Sequence, residues 1–287
     1  MAKIINGKEI ALEIKLKVKS LVEELSLSAG CKVKLASLIV RGSDDAEIYV
    51  NMQRRSAEIV GIDFVSYELD KGITQEEIVQ EVEKLNKNDE ITAIIVQKPL
   101  PEGIRHDVIV SKISPEKDAE GLHPYNLGKI LRREANILPC TPGAIMKILR
   151  LENIDLYGKE VVIIGHSAIV GKPLSLMMMN EMATTSVCNI ATDEKGNLKE
   201  HARKADILIV AVGKAEMVRG DWISPGAVVV DVGINKTDKG IVGDVCFEEV
   251  SKKASLITPV PGGVGPVTVS ILMRNVLRAF KDQNVKT

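Results

Sequence analysis

The sequence predicts an α/β fold of two domains, and three observations carry that prediction. Short apolar, β-branched runs alternate with longer amphipathic stretches along all 287 residues. Runs of that kind are strands buried on both faces, and the stretches between them are the helices of parallel βαβ units. A second series of runs begins after the segment LPCTPGAIMKILRLENIDLYGK, and its first strand ends in a glycine turn. A chain of this length has room for two ordinary domains and a substantial core.

The elements follow in order. Residues 7–27 carry a helical apolar period and form a long amphipathic helix. KLASLIV (34–40), DFVSYEL (63–69) and ITAIIVQ (91–97) read as strands, with helices over 46–60, 74–87 and near 104–113. In the second series EVVIIG (160–165), TTSVCNI (184–190), ADILIVAVG (205–213), AVVVDVGI (227–234) and SLITPV (255–260) are the strands. Helices fall over 171–181 and 197–204, and a last one over 267–281 follows a glycine loop. The boundary between the two series lies near residues 140–150, and there is no repeat or low-complexity tract.

Composition narrows the function. With 38 basic and 39 acidic side chains the net charge is −1, and no Lys/Arg stripe interleaved with aromatics is present, which argues against a nucleic-acid partner. Aromatics make up only 3%, so the core is built from Ile, Val, Leu, Ala and Met. Cys31, Cys140, Cys188 and Cys246 are scattered, with no CxxC pair and no His at ligand spacing. Free thiols in a reducing compartment and no bound metal are the expectation. The N-terminal MAKIINGKEIALEIK has neither signal- nor transit-peptide character. No apolar run approaches the roughly 20 residues that span a bilayer. A soluble cytoplasmic protein is expected.

In EVVIIGHSAIVGKPLSLMMMNE a strand ends at Gly165, and Gly171 opens the next helix, a Gly-x-Ser-x-x-x-Gly spacing. Gly165 permits a tight turn and Gly171 permits close packing of helix on sheet, so exposed amides at the helix start can face a pyrophosphate. A dinucleotide site is predicted there; glycine used only for packing is the plain alternative. The end of the following strand discriminates between nicotinamide cofactors. An acidic group there suits a free ribose hydroxyl, and a cation suits a ribose phosphate. Residues 188–192 are Cys-Asn-Ile-Ala-Thr, then Asp193 and Glu194, with no cation before Lys195. His166 is the nearby candidate, and a solvated loop histidine is the competing reading.

YVNMQRRSAEIVGI (49–62) opens an amphipathic helix and leaves open whether Gln53 is a surface residue or stands where chemistry wants an ionisable group. YVNMQ (49–53), VQKPLP (96–101), KDAEGLHPYNLG (117–128), PCTP (139–142), GHSAIVGKP (165–173), VVVDVGIN (228–235), GDV (243–245) and TPVPGGVGPVTV (258–269) occur in one order. Together they resemble the bifunctional methylenetetrahydrofolate dehydrogenase/methenyltetrahydrofolate cyclohydrolase family, over essentially the whole chain.

The resemblance implies a folate-side catalytic domain of residues 1–140 plus 268–287, a Rossmann-like NAD(P)-binding domain of residues 141–267, a cleft between them and a homodimer. It implies oxidation of methylenetetrahydrofolate by hydride transfer, then addition of water to the methenyl product. NADP is the family's default cofactor; the uncharged strand end makes NAD the competing choice. Implied catalytic positions are Tyr49, Gln53, Gln97 and Glu120. Folate-contacting positions are Tyr49, Val96, Gln97, Lys98, Pro99, Glu120, Pro261, Gly262 and Gly263. Cofactor-contacting positions are Gly165, His166, Ser167, Val170, Gly171, Ile190, Val212, Gly213, Ile234 and Thr268.

Three positions depart from the family pattern. Gln53 stands where the family has its catalytic lysine, Glu120 where it has an aspartate, and Ala46 where it often has a serine. An amide cannot exchange a proton near neutral pH, so the hydrolytic step should suffer most, while hydride transfer depends mainly on positioning. Arg54 and Arg55 point about 100° and 200° away from Gln53 on a helix and stay charged. Lys98 is the candidate substitute, its ammonium desolvated by burial; a solvated loop-edge lysine is the alternative.

Without the resemblance, Tyr49 reads as a core aromatic, Asp118 as a cap or loop carboxylate, PVPGGVGPV as a turn before a helix, and His123 and His201 as structural or solvated. Three functional readings stay open: a dehydrogenase with impaired hydrolysis, a fully bifunctional enzyme using Lys98 or a water held by Gln53 and Gln97, and a folate- or nucleotide-binding sensor without catalysis.

Overall fold

A computed structural model describes residues 1–238 and 240–284. The chain opens with β1 (Lys3–Ile4), α1 (Gly7–Ala29), β2 (Lys34–Val40), α2 (Asp44–Val60), β3 (Asp63–Leu69), α3 (Gln75–Asn86), β4 (Ala93–Val96) and α4 (His106–Val110). It continues with α5 (Pro124–Leu131), α6 (Cys140–Leu151), β5 (Glu160–Ile164), α7 (Gly171–Asn180), β6 (Thr184–Cys188), α8 (Ile190–Glu194) and α9 (Leu198–Lys204). The last part holds β7 (Ile207–Val210), β8 (Val228–Asp231), β9 (Asn235–Thr237), β10 (Gly240–Val242), α10 (Phe247–Val250), β11 (Leu256–Ile257) and α11 (Val264–Asn284).

The chain divides into two compact units. One comprises Leu12–Cys140 and the residues from Val269 onward. Its sheet is parallel, in the order β3-β2-β4. The central β2 is apolar at five of its seven positions and buried from Leu35 to Val40, as a strand covered on both faces must be. Ala36, Leu38, Ile78, Val82, Leu85, Ile94, Val96 and Ile109 form one cluster around it. The helices are delimited by local chemistry. Ser43 caps α2 through the Ala46 amide, and Gly61, at φ 78°, ends it in the left-handed conformation that glycine tolerates. Thr74 and Glu77 form a reciprocal capping box on α3.

The other unit comprises Met1–Ala11 and Thr141–Thr268. Six of its strands form a parallel sheet in the order β1-β11-β8-β7-β5-β6. The chain goes to one side of β5 for β6 and to the other for β7, so the carboxyl ends of β5 and β7 mark the switch point where such sheets bind ligands. Val162, Ile164, Leu208, Val210, Val229 and Ile257 form its core.

The first eleven residues were expected with the folate-side domain, and they belong to this second unit. Lys3 and Ile4 pair with Leu256 and Ile257, and the Ile5 amide donates to the Ile257 carbonyl at 3.0 Å. Two residues are too short to display a strand period, so β1 left no readable pattern. Six strands, β4 to β8 and β11, are shorter than their apolar runs, β11 most of all. The run at 184–190 stops at Cys188 because the Asn189 side chain caps α8. Those at 205–213 and 227–234 stop at Val210 and Asp231, where buried carboxylates take over the backbone donors. The antiparallel hairpin β9–β10 and helix α5 had no counterpart in the sequence reading.

Candidate functional site

Gln53 is not a surface residue. It is 6% exposed, Gln97 is 5% exposed, and Ser37, a partner of Gln97, is fully buried. The two amides bond reciprocally: Gln53 Nε2 donates to Gln97 Oε1 at 3.2 Å, and Gln97 Nε2 donates to Gln53 Oε1 at 2.7 Å. Gln97 Nε2 spends its second hydrogen on Ser37 Oγ at 2.9 Å. This is a neutral, mutually satisfied pair; it positions groups and has no proton to exchange. Tyr49, one turn earlier on α2, is exposed, and Ala46 is buried. Arg54 lies over the Phe64 ring and donates to Ser66 Oγ, turned onto β3.

Lys98 and Pro99 are exposed, so the burial invoked for Lys98 as a substitute acid is absent from this unit. The Lys98 charge is felt by Glu120. Burial pushes the Glu120 carboxyl up to about 7, the neighbouring Asp118 adds to the shift, and Lys98 opposes it. Asp118 is buried and accepts from the amides of Gly121 and His123 and from Asn126 Nδ2, at 3.0, 2.8 and 2.9 Å. That makes it the carboxylate that shapes the loop under Glu120. His123 caps α5 by accepting from the Tyr125 amide. Asn275 on α11 donates to the carbonyls of Ala119 and Leu138 at 3.0 and 2.8 Å, tying both segments beside Cys140.

Sequence reasoning missed His106. Its Nε2 lies 3.9 Å from Glu120 Oε2, and burial, with Lys98 beside it, pushes the imidazole down to about 4. No spacing in EGIRHDV signals this, because the contact is made by the return of residues 118–120 alongside β4.

In the second unit Gly165 has φ 124°, and a Cβ there would lie 2.3 Å from the Ala211 carbonyl oxygen. A Cβ on Gly171 would lie 1.9 Å from the Gly165 carbonyl oxygen. Both glycines are therefore demanded by the turn itself, which leaves His166 and Ser167 exposed above the end of β5. Ser167 Oγ accepts from the Val170 amide at 3.1 Å and holds the loop closed. Ile190, Val212 and Ile234 stand exposed beyond the ends of β6, β7 and β8, an apolar edge suited to flat rings. Thr268 bonds back to the Val264 carbonyl within α11.

Pro261, Gly262 and Gly263 form a tight loop, with the Gly263 amide donating to the Pro259 carbonyl at 2.9 Å. Gly7 opens α1 directly against it: a Cβ on Gly7 would meet the Gly263 oxygen at 1.8 Å.

Two buried carboxylates organise the loops at this edge. Asp244 accepts from the amides of Val212, Gly213 and Lys214 and from Asn235 Nδ2, at 2.7, 3.0, 2.8 and 2.9 Å. Asp231 accepts from the amides of Gly233, Asp244 and Val245. Burial pushes Asp231 up to about 7, against the pull of its three amide donors. A folded-state value above the unfolded one means that the unfolded chain releases its proton first. The stabilisation is fully present below about pH 4 and is lost as pH rises through about 7. Asp231→Asn is expected to flatten the fall in stability between those limits, read as denaturant midpoints at pH 5 and pH 8. An unchanged slope would refute it.

Residues 5–120 match the model of the tetrahydrofolate dehydrogenase/cyclohydrolase catalytic domain, and residues 139–284 match that of its NAD(P)-binding domain. The bifunctional protein FolD of Acetivibrio thermocellus is 43% identical over 283 residues, 98% of each chain. The solved structure of the bifunctional FolD enzyme from Campylobacter jejuni superposes with a TM-score of 0.94 at 42% identity, covering 99% of this chain and 100% of that one. The Trypanosoma brucei FolD structure, complexed with NADP and an inhibitor, gives 0.93 at 39% identity over 99% of each.

Proposed function

The chain belongs to the tetrahydrofolate dehydrogenase/cyclohydrolase family, and from that premise we propose that it is a methylenetetrahydrofolate dehydrogenase with impaired cyclohydrolase activity. The observation that carries the second half is the buried, mutually satisfied Gln53–Gln97 pair at the position of the family's lysine. A nicotinamide cofactor supplies the hydride acceptor. What these residues contribute is alignment of the one-carbon bridge, with Tyr49 against the folate and Glu120 on its pterin, and hydride transfer asks for no more than that. Hydration of the methenyl carbon needs a proton acceptor, and residue 53 no longer provides one.

In this reading the unit containing β2–β4 binds folate. The unit containing β5–β8 binds the cofactor over Gly165, His166, Ser167, Val170 and Gly171, with Ile190, Val212, Gly213, Ile234 and Thr268 along its edge. Val96, Lys98 and Pro99 in the first unit are candidate folate contacts, and so, in the second, is the Pro261–Gly262–Gly263 loop. The exposed Ile48, Met52 and Ile59 on one face of α2 support a homodimer, and the free thiols support a cytoplasmic setting.

Two assays on one sample test the proposal. Methylenetetrahydrofolate oxidation is expected, together with hydrolysis of supplied methenyltetrahydrofolate close to the uncatalysed rate. Rapid hydrolysis would sink the impaired-cyclohydrolase reading, and ligand binding with neither activity would replace it with the sensor.

The cofactor is expected to be NAD at least as readily as NADP. No cation occurs at 188–192, and the Asn189 side chain already accepts from the Ala191 and Thr192 amides at the start of α8. The ratio of kcat/KM for the two cofactors decides, and a preference of more than about tenfold for NADP would overturn the expectation.

A further inference from the structure

Glu120 and His106 meet at the carboxyl end of β4. Residues 118–120 run alongside that strand: Asp118 forms a parallel bridge with Ile94, and the Ala119 amide donates to the Ile94 carbonyl at 3.1 Å. Glu120 is thereby brought level with Val96, the strand's last residue. His106 is the first residue of α4 and is half-buried beside Glu120. A neutral imidazole has one N–H and one lone pair, so with the proton on Nδ1 the other nitrogen is an acceptor. That nitrogen, Nε2, is buried without a hydrogen-bond partner and lies 3.9 Å from Glu120 Oε2. Closing the gap to a hydrogen bond takes about 1 Å of side-chain movement.

We propose that His106 is a positioning residue for Glu120: Nε2 accepts a hydrogen bond from the protonated Glu120 carboxyl and fixes the orientation in which its other oxygen meets the pterin ring. The role in folate binding rests on the function proposed above. The pairing itself rests on geometry alone. A glutamate has one more rotatable bond than the family's aspartate, and an anchor at one oxygen removes the freedom which that bond adds.

The charges around the pair are consistent with a shared proton. Lys98 stands by both groups, Asp118 and Cys140 by Glu120, and Asp107 by His106. Burial raises the carboxyl and lowers the imidazole, so of the two groups it is Glu120 that holds the proton as pH rises toward about 7.

The test is an infrared pH titration of the unliganded protein, following the protonated-carboxyl band that Glu120→Gln removes. In His106→Phe, which keeps a ring and loses the acceptor, the midpoint of that band is expected to fall by about one pH unit, a tenfold loss of proton affinity. His106→Asn serves the same purpose if the phenylalanine variant does not fold. The second readout is kinetic. His106→Phe is expected to raise KM for methylenetetrahydrofolate about fivefold with kcat changed less than about twofold, and to add nothing in the Glu120→Gln background. An unmoved midpoint, or full additivity of the two substitutions, overturns the pairing. Absence of dehydrogenase activity in the parent protein would defeat the proposed function and leave the infrared titration to decide the pair.

Discussion

A Gln53→Lys variant is expected to hydrolyse methenyltetrahydrofolate at least about tenfold faster than the parent protein, with methylenetetrahydrofolate oxidation changed less than about threefold. General acid–base groups contribute typically 10²–10⁴-fold, and the lower end applies here because Glu120 and Ala46 also depart from the family pattern. The pocket favours the gain. Gln97 stays opposite residue 53 with an amide oxygen able to accept from an ammonium, and burial of the site draws a lysine's proton affinity down toward neutrality. The two partial reactions are followed separately on the same folded sample. A variant that still oxidises its folate substrate but gains no hydrolysis would show that residue 53 is not what limits the second step.

Gly171→Ala is expected to weaken NAD(P) binding by more than tenfold and to destabilise the fold by about 2 kcal/mol or more. The added methyl would sit 1.9 Å from the Gly165 carbonyl oxygen and 2.8 Å from its carbon, both backbone atoms of the turn on which α7 rests. Neither can yield as a flexible side chain would. Either the turn opens or the start of α7 moves off the sheet, and the loop of His166 and Ser167 moves with it. Gly128→Ala on α5 is the control. A Cβ there meets nothing within 4 Å, so replacing a helical glycine should be neutral or slightly stabilising. Calorimetric titration with the cofactor and denaturant midpoints of both variants check this. Unimpaired cofactor binding in folded Gly171→Ala would remove the turn from the proposed site.

Much of the fold was legible because most strands are buried on both faces and written as continuous apolar runs, and because their order along the chain is that of βαβ units. The elements that escaped notice have no such imprint. β1 is two exposed residues that become a strand only by pairing with β11, more than 250 positions away. The ends of β7 and β8 are set by Asp244 and Asp231, which claim amides that an apolar run would otherwise leave to the ladder.

The candidate site divides in the same way. Residue identity alone determined that position 53 carries no ionisable group, that glycine stands at both ends of the turn after β5, and that no cation follows β6 before Lys195. These are properties of side-chain chemistry and of the missing Cβ, and no fold can add a titrating proton to an amide. Tertiary structure decided what surrounds those residues. It placed Gln53 against Gln97 over Ser37, exposed Lys98 and brought His106 opposite Glu120. It also buried Asp231 and Asp244 beneath the loops at the end of the sheet. The reason is physical: hydrogen-bond partners and burial depend on which distant segments return to the same strand end, and the register that brings residues 118–120 beside β4 is written in no single stretch of the chain.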